Sequence, residues 1–251
     1  MSAELVIIGT PLDEESPLAP YAIAALESAQ LLIGESRKIA MRLLASSKIA
    51  GWREKPLFLL DQQRPDEAAE MESALRDLAT HGGRAALFSD CGMPVLFDPG
   101  ESVVRLCRQL GYRIRSRGGE TSWGTAAALS GFGTPFLVAG FPPRENEERR
   151  AWLAALKNES AHTVLMDTPY RFTALLGGLR EQWGGGRFAF LAWEIGKEGE
   201  RLQWGTLDEL AALAAREQMK KGEFVLVLQG IKAQPENRPR AKESKPRAHS
   251  R

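Results

Sequence analysis

Along the first 117 residues, short apolar runs alternate with longer amphipathic stretches. The runs at residues 5–8, 31–33, 57–60, 85–88 and 112–114 read as strands. Helical patterns lie near residues 21–29, 37–44, 66–80 and 101–110. Such alternation predicts a mainly parallel sheet with helices packed on its faces. The stretch RSRGGETSWGTAAALSGFGTP then changes character, with glycines before and after a small-residue helix, and predicts a junction between two halves. Beyond it come an apolar run at 136–139, a charged helix at 145–156, a strand at 162–166 and a helix from about residue 170 to 181. The run RFAFLAW, a helix over 207–216 and a closing strand EFVLVLQG complete the pattern, and no internal repeat is visible. The predicted fold class is α/β with two α/β domains, each a mainly parallel or mixed sheet flanked by helices. The N-terminal domain covers 1–117, an interdomain segment 118–133, the C-terminal domain 134–231 and a basic tail 232–251.

The 251 residues are 43% hydrophobic and 26% charged, values that allow a substantial core. The net charge of +1 argues neither for nor against an anionic partner, so only local patches can speak. The tail, KAQPENRPRAKESKPRAHSR, has almost no apolar residues to offset the entropy of ordering. Its basic excess would attract phosphate in a salt-dependent way, or simply be a solvated end without a ligand. Cys91 and Cys107 show neither metal-ligand spacing nor a disulfide framework, which suits a reduced, intracellular setting. His81, His162 and His249 are scattered, so no structural metal is expected. No apolar run approaches the roughly 20 residues of a membrane span. The N-terminal MSAELVIIG lacks a basic segment before its apolar run and reads as a first strand. A soluble cytoplasmic protein, without membrane or metal, is the expectation.

The candidate chemistry gathers in LFSDCGMPVLFDPG, residues 87–100. Ligands in open α/β sheets sit outside the carboxyl ends of the strands. The strand at 85–88 puts Ser89, Asp90, Cys91, Gly92 and Pro94 at that edge. Gly92 permits positive φ or close approach of a ligand, while Pro94 and Pro99 keep the segment out of helix. A carboxylate there suits ribose hydroxyls or a cation; Asp, Gly and Pro serve equally well in a plain turn. Two such turns this close together favour the ligand.

SDCGMPVLFDPG resembles the S-D-A-G-T-P-L-I-S-D-P-G signature of the tetrapyrrole methylase superfamily, most closely the branch that methylates a ribose 2′-oxygen in small-subunit ribosomal RNA. GFPPRENEERRAWLAAL is similar to that branch's G-F-L-P-R-K…E-R-R segment, and VLMDTPYRF to V-F-Y-E-S-P-H-R-L. WEIGKEGE resembles R-E-L-T-K-x-x-E, GTLDEL follows in place, and KGEFVLVLQG resembles K-G-E-F-V-L-V-V-E-G. The resemblance implies a homodimer of two-domain subunits with S-adenosylmethionine (SAM) in the cleft between the domains. Carried over residue by residue, it implies a cofactor loop of Ser89, Asp90, Cys91, Gly92 and Val95, with Thr121 and Ser122 near the methionine end. Met166 and Pro169 would wall the adenosine, Ala192 and Trp193 would stand at the next strand end, and Pro11 would mark the first strand-to-loop turn. Met166 and Trp193 are equally at home in a core.

The departures fall on the acceptor side. The branch's A-T-P-I-G-N-L-x-D appears as GTPLDEESPLAP, keeping Thr10 and Pro11 but bringing Asp13, Glu14 and Glu15. These acids would oppose a substrate phosphate or merely solubilise an exposed loop. The branch's A-E-D-T-R-x-T-x-x-L-L appears as IGESRKIAMRLL, with Glu35 retained and Lys38 at the Arg position. Lysine is a point charge, so a bidentate phosphate contact is lost there. In WEIGKEGE, Glu194 and Lys197 remain; Tyr170 replaces a histidine beside the retained Arg171.

Methyl transfer from a sulfonium needs alignment and desolvation rather than a metal. A hydroxyl acceptor gains from a base or a neighbouring cation. Glu35 is the expected base and Lys38 the cation; Glu35 is equally suited to orienting Lys38 or to a helix terminus. Arg144, Arg171 and Lys197, with Arg149 and Arg150, would form a basic rim for an anionic substrate. The alternatives to a ribosomal RNA acceptor are a tetrapyrrole or other small molecule, or a SAM-binding module without catalysis.

Overall fold

The computed structural model describes residues 2–13, 15–61 and 65–231, so Glu14 and the basic tail lie outside the described residues. The N-terminal half runs β1 (Glu4–Ile8), α1 (Pro20–Ser28), β2 (Leu31–Gly34), α2 (Arg37–Ser46), β3 (Leu57–Leu59), α3 (Pro65–His81), β4 (Arg84–Phe88), α4 (Glu101–Gln109) and β5 (Arg113–Arg117). The sheet order is β3-β2-β4-β1-β5, and every pairing is parallel. Alternate residues of each strand serve opposite faces. Val6, Ile8, Ala86 and Phe88 pack beneath α1 and α2, while Leu5, Ala85 and Leu87 pack beneath α3 and α4. This two-sided burial is why the strands read as continuous apolar runs. Phe88 is 1% exposed, and truncating a phenylalanine so placed costs about 3–5 kcal/mol.

The junction helix α5 (Ser122–Ser130) starts where the Thr121 hydroxyl accepts the Gly124 N–H at 3.1 Å, and stops at Gly131 in the left-handed region, φ 72°. The C-terminal half follows as β6 (Phe136–Gly140), α6 (Asn146–Leu156), β7 (His162–Met166), α7 (Phe172–Trp183), β8 (Phe188–Trp193), β9 (Arg201–Thr206), α8 (Leu207–Arg216) and β10 (Phe224–Leu228). Its sheet order is β6-β7-β10-β8-β9. Only β6 and β7 pair in parallel; β10 is antiparallel to both neighbours and β9 antiparallel to β8. This sheet is therefore mixed. One face packs on α6, α7 and α8, and the other on α5. The strand β9 is absent from the sequence expectation; α8 follows it at once through a Thr206–Glu209 capping box.

All five strands of the first sheet end at one edge. The segments that follow β1, β4 and β5 meet the second half beside Met166 and Val225, and the site lies there.

Candidate active site

The loop after β4 is stitched to the loop after β1. The Gly92 carbonyl accepts the Thr10 N–H at 2.8 Å, the Thr10 hydroxyl at 3.2 Å and the Ser89 hydroxyl at 2.9 Å. The Cys91 thiol donates to the Leu12 carbonyl at 3.4 Å. Gly92 takes φ 76°, and a Cβ on it would press on Glu120 O and Leu12 Cδ2, both at 3.3 Å. Val95 and Phe97 also stand at positive φ, 75° and 68°, where non-glycine side chains are strained. The β2–α2 turn braces the same loop. The Asp90 N–H donates to Glu35 Oε2 at 3.0 Å, and the Asp90 carboxylate accepts the Ser36 hydroxyl at 2.5 Å and N–H at 3.1 Å.

Two cavities open along this loop. The first, about 340 Å³, runs between the halves. The loop supplies Cys91, Gly92, Met93, Phe97 and Asp98; Thr121, Ser122 and Trp123 begin α5; Met166, Pro169, Ile195 and Val225 belong to the second half. The second, a groove of about 660 Å³, lies between residues 10–18 and the face of α2 that carries Ile39, Arg42, Leu43 and Ser46. The two share Leu12, Cys91 and Glu223. The segments that best keep the resemblance line the first cavity, and those that depart from it line the second.

The expected residues separate accordingly. Cys91, Gly92, Thr121, Ser122, Met166 and Pro169 line the first cavity. Pro11, Asp90 and Lys197 line the groove. Ser89 is buried and holds the bend, and Val95 packs towards α3 and α4. Ala192 lies on the sheet face of Met166 and Val225 but is fully covered, paired with Val225. Trp193, one residue on, points to the opposite face and packs against Phe172 and Phe224. The twofold strand period sets these two consecutive residues on opposite faces of the sheet. Lys38 is exposed, lines neither cavity and has no ion pair among the described residues; the α2 cation facing the groove is Arg42. Glu35 touches the loop rather than Lys38.

The expected basic rim is not one surface. Arg149 is buried and paired with Asp167, and Arg150 pairs with Glu181 at 2.9 Å. Together with Arg171 they line a separate hollow of about 470 Å³ between α6 and α7. Arg144 is exposed, its carbonyl accepting an Arg171 Nη1–H at 3.4 Å. Lys197 pairs with Glu223 at 2.8 Å and Glu194 at 3.2 Å.

Asp98 and Trp123 were missed. Asp98 belongs to the D-P-G turn, where aspartate reads as an ordinary turn residue, and Trp123 to GGETSWGT, which has no polar pattern. Burial, then the carboxylates of Glu35 and Asp90, push the Asp98 carboxyl up to about 7. Burial also raises the Glu35 carboxyl; the Asp90 N–H opposes this, and the Asp90 and Asp61 carboxylates add to it. Burial would lower the Lys197 ammonium, but its bonds to Glu223 and Glu194 outweigh that and hold it above the ordinary lysine value. Trp123 lines the first cavity, while its indole N–H is buried and has no acceptor among the described residues. Among the described residues no group of three or more His, Cys, Asp or Glu could hold a metal, and no helix is long and apolar enough to cross a membrane.

The family model of the Tetrapyrrole (Corrin/Porphyrin) Methylases matches residues 4–211. The chain belongs to this family. As a tetrapyrrole methylase it is a SAM-dependent methyltransferase. Within the family it groups with proteins named ribosomal RNA small subunit methyltransferase I. The one from Mycobacterium bovis is 34% identical over 232 residues, covering 91% of this chain and 78% of its own length. The one from Thermotoga maritima is 31% identical over 229 residues, covering 90% and 98%. Among solved structures, the methyltransferase CobJ superposes with a TM-score of 0.64 at 20% identity, over 94% of this chain and 98% of CobJ. A diphthine synthase superposes with a TM-score of 0.66 at 14% identity, over 91% and 90%. These two share the tetrapyrrole methylase fold.

Proposed function

We propose that the enzyme transfers the methyl group of SAM to a ribose 2′-hydroxyl of small-subunit ribosomal RNA, with the donor in the first cavity and the acceptor nucleoside in the groove. The observation that carries this reading is the junction of the two cavities at Leu12, Cys91 and Glu223. The names of relatives 34% and 31% identical to the chain support RNA as the acceptor.

The first cavity suits SAM in chemistry as well as size. Met166, Pro169 and Val225 offer apolar wall for the adenine, and the Ser122 hydroxyl, 3.9 Å from the Met166 sulfur, adds a polar group beside it. SAM supplies a methyl group on a cationic sulfur. The loop's part is to fix main-chain groups there and exclude water, which the three bonds to the Gly92 carbonyl support. A ribose hydroxyl must shed its proton as it reacts. Asp98 faces the first cavity and titrates near neutrality, so we assign it proton acceptance; Glu35, engaged with the Asp90 N–H, is a positioning residue. Asp13, Glu15, Asp90 and Glu223 outnumber Arg42 and Lys197 in the groove, a balance suited to one sugar and base rather than a run of phosphates. We also infer a cytoplasmic homodimer, the dimer resting on the family resemblance; sedimentation of the purified chain tests it.

Labelled methyl incorporation from SAM into purified small ribosomal subunits, beside tetrapyrrole precursors, tests the acceptor. Label in the RNA is expected. Label only in a tetrapyrrole overturns the RNA reading and keeps the chemistry.

A further inference from the structure

Three segments of the second half lie side by side at the edge of the first cavity. The Gly222 N–H donates to the Pro169 carbonyl at 3.3 Å, and Arg171 Nη1 donates to the Arg144 carbonyl at 3.4 Å. Residues 141–144, 169–171 and 220–223 are thereby laced together, and Phe141, Pro169 and Glu223 belong to the cavity wall. Tyr170 stands out of this surface, 68% exposed, with the Lys221 ammonium 5.0 Å from its ring centroid. Phe141 is 45% exposed. Arg144, Arg171, Lys220 and Lys221 have no ion pair among the described residues, and the nearby Glu223 carboxylate is engaged by Lys197. Glu145 follows Arg144 in the chain and forms no ion pair with this group among the described residues.

Aromatics interleaved with lysine and arginine bind unpaired nucleotides, because every base has a face that stacks. A second copy of the chain fits poorly, since an isologous contact would set these cations against one another. We propose that this surface grips the single-stranded RNA flanking the acceptor nucleotide, a base stacking on Tyr170 and phosphates lying along Lys221, Arg171 and Arg144. The proposal rests on the RNA reading above and deepens it: the acidic groove takes one nucleoside, and the basic, aromatic surface beside it takes the strand.

Fluorescence anisotropy with a short fluorescein-labelled single-stranded RNA, and with its duplex, tests the surface directly. Tyr170→Ala should weaken single-strand binding about tenfold, whereas Tyr170→Phe, which keeps the stacking face, should stay near wild type. Lys221→Gln should lower the slope of log affinity against log salt by about one. The duplex should bind more weakly than the single strand. Affinity for SAM, measured alongside, reports that the variants are folded. Wild-type RNA affinity in both Tyr170→Ala and Lys221→Gln overturns the proposal, as does no RNA binding by the wild-type chain, or a dimer that Tyr170→Ala splits into monomers. The two readings fail separately. Unlabelled ribosomal subunits despite Tyr170-dependent RNA binding would remove the acceptor assignment and keep the surface; labelled subunits with Tyr170-independent binding would do the reverse.

Discussion

The carboxylate of Glu35 holds the main-chain N–H of Asp90, a residue fifty-five positions away, at 3.0 Å. Asp90 returns the link through the Ser36 hydroxyl and N–H, so three hydrogen bonds tie the turn after β2 to the loop after β4. The tie sets the shape of the loop on which the first cavity depends.

Glu35→Gln keeps an oxygen that can accept the Asp90 N–H, and Glu35→Ala does not. If Glu35 positions the loop, the alanine variant should weaken SAM binding by about tenfold, the size of one charge-assisted hydrogen bond, while glutamine restores most of it. Calorimetric titration measures both. A glutamine variant that binds SAM normally yet has lost methyl transfer would return Glu35 to the role of base.

Asp98 leads to two pH effects. As proton acceptor it must be ionised, so kcat/KM should rise through pH about 7 and level off, and Asp98→Asn should lower it about 100-fold or more. The stability effect has the opposite sense. Its folded value is raised from 3.8 to about 7, so the native state carries a penalty for the ionised carboxylate that is fully present above pH 7 and fades as pH falls towards 3.8. Asp98→Asn should therefore raise Tm at about pH 8 and change it little at about pH 4. Differential scanning calorimetry at both values checks the sign.

At Gly92 the backbone stands at φ 76° with contacts at 3.3 Å waiting for a Cβ. Gly92→Val places a branched side chain in that conformation, a strain of about 1–3 kcal/mol that the loop relieves by shifting. SAM binding should be lost while far-UV circular dichroism stays that of the wild type; unchanged affinity would mean the loop does not shape the donor site.

The Arg149–Asp167 pair joins the hollow between α6 and α7 to the wall of the first cavity, with both residues buried. Arg149→Met strands the carboxylate and should cost about 3–5 kcal/mol in urea unfolding, whereas adding Asp167→Leu should recover a large part of it. A loss of under about 1 kcal/mol in the single variant would identify a pair open to water.

Much of this was legible in the chain. Apolar runs flanked by turn residues marked β1, β2, β4, β7 and β8, because strands buried on both faces leave little room for polar residues. The edge strands were harder. In β5, RIRSR is mostly polar, and the strand runs over Arg113–Arg117, beyond the expected 112–114. In β9, RLQWGT follows a glycine-containing charged loop and reads as its continuation; it is a strand because the β8 edge pairs with it throughout. The position of β10 between β7 and β8 follows from no local pattern. The resemblance named the bend, Thr121, Ser122, Met166 and Pro169, which come together on one cavity, but one-dimensional matching could not tell which face of the sheet Ala192 and Trp193 each take. Nor could it show that Lys38 turns away while Arg42, one helical turn on, meets the groove. Asp98 draws its interest from burial near Asp90 of its own loop and Glu35 of the turn after β2, a meeting that no local spacing reveals.

The most direct measurement is a crystal structure after soaking with S-adenosylhomocysteine, the demethylated donor. Density lying between the Cys91–Met93 bend and the wall of Met166, Pro169 and Val225, with sulfur towards Leu12 and Glu223, is the expected result. Density in the groove along α2 instead, with the first cavity vacant, would contradict the assignment of donor and acceptor sites.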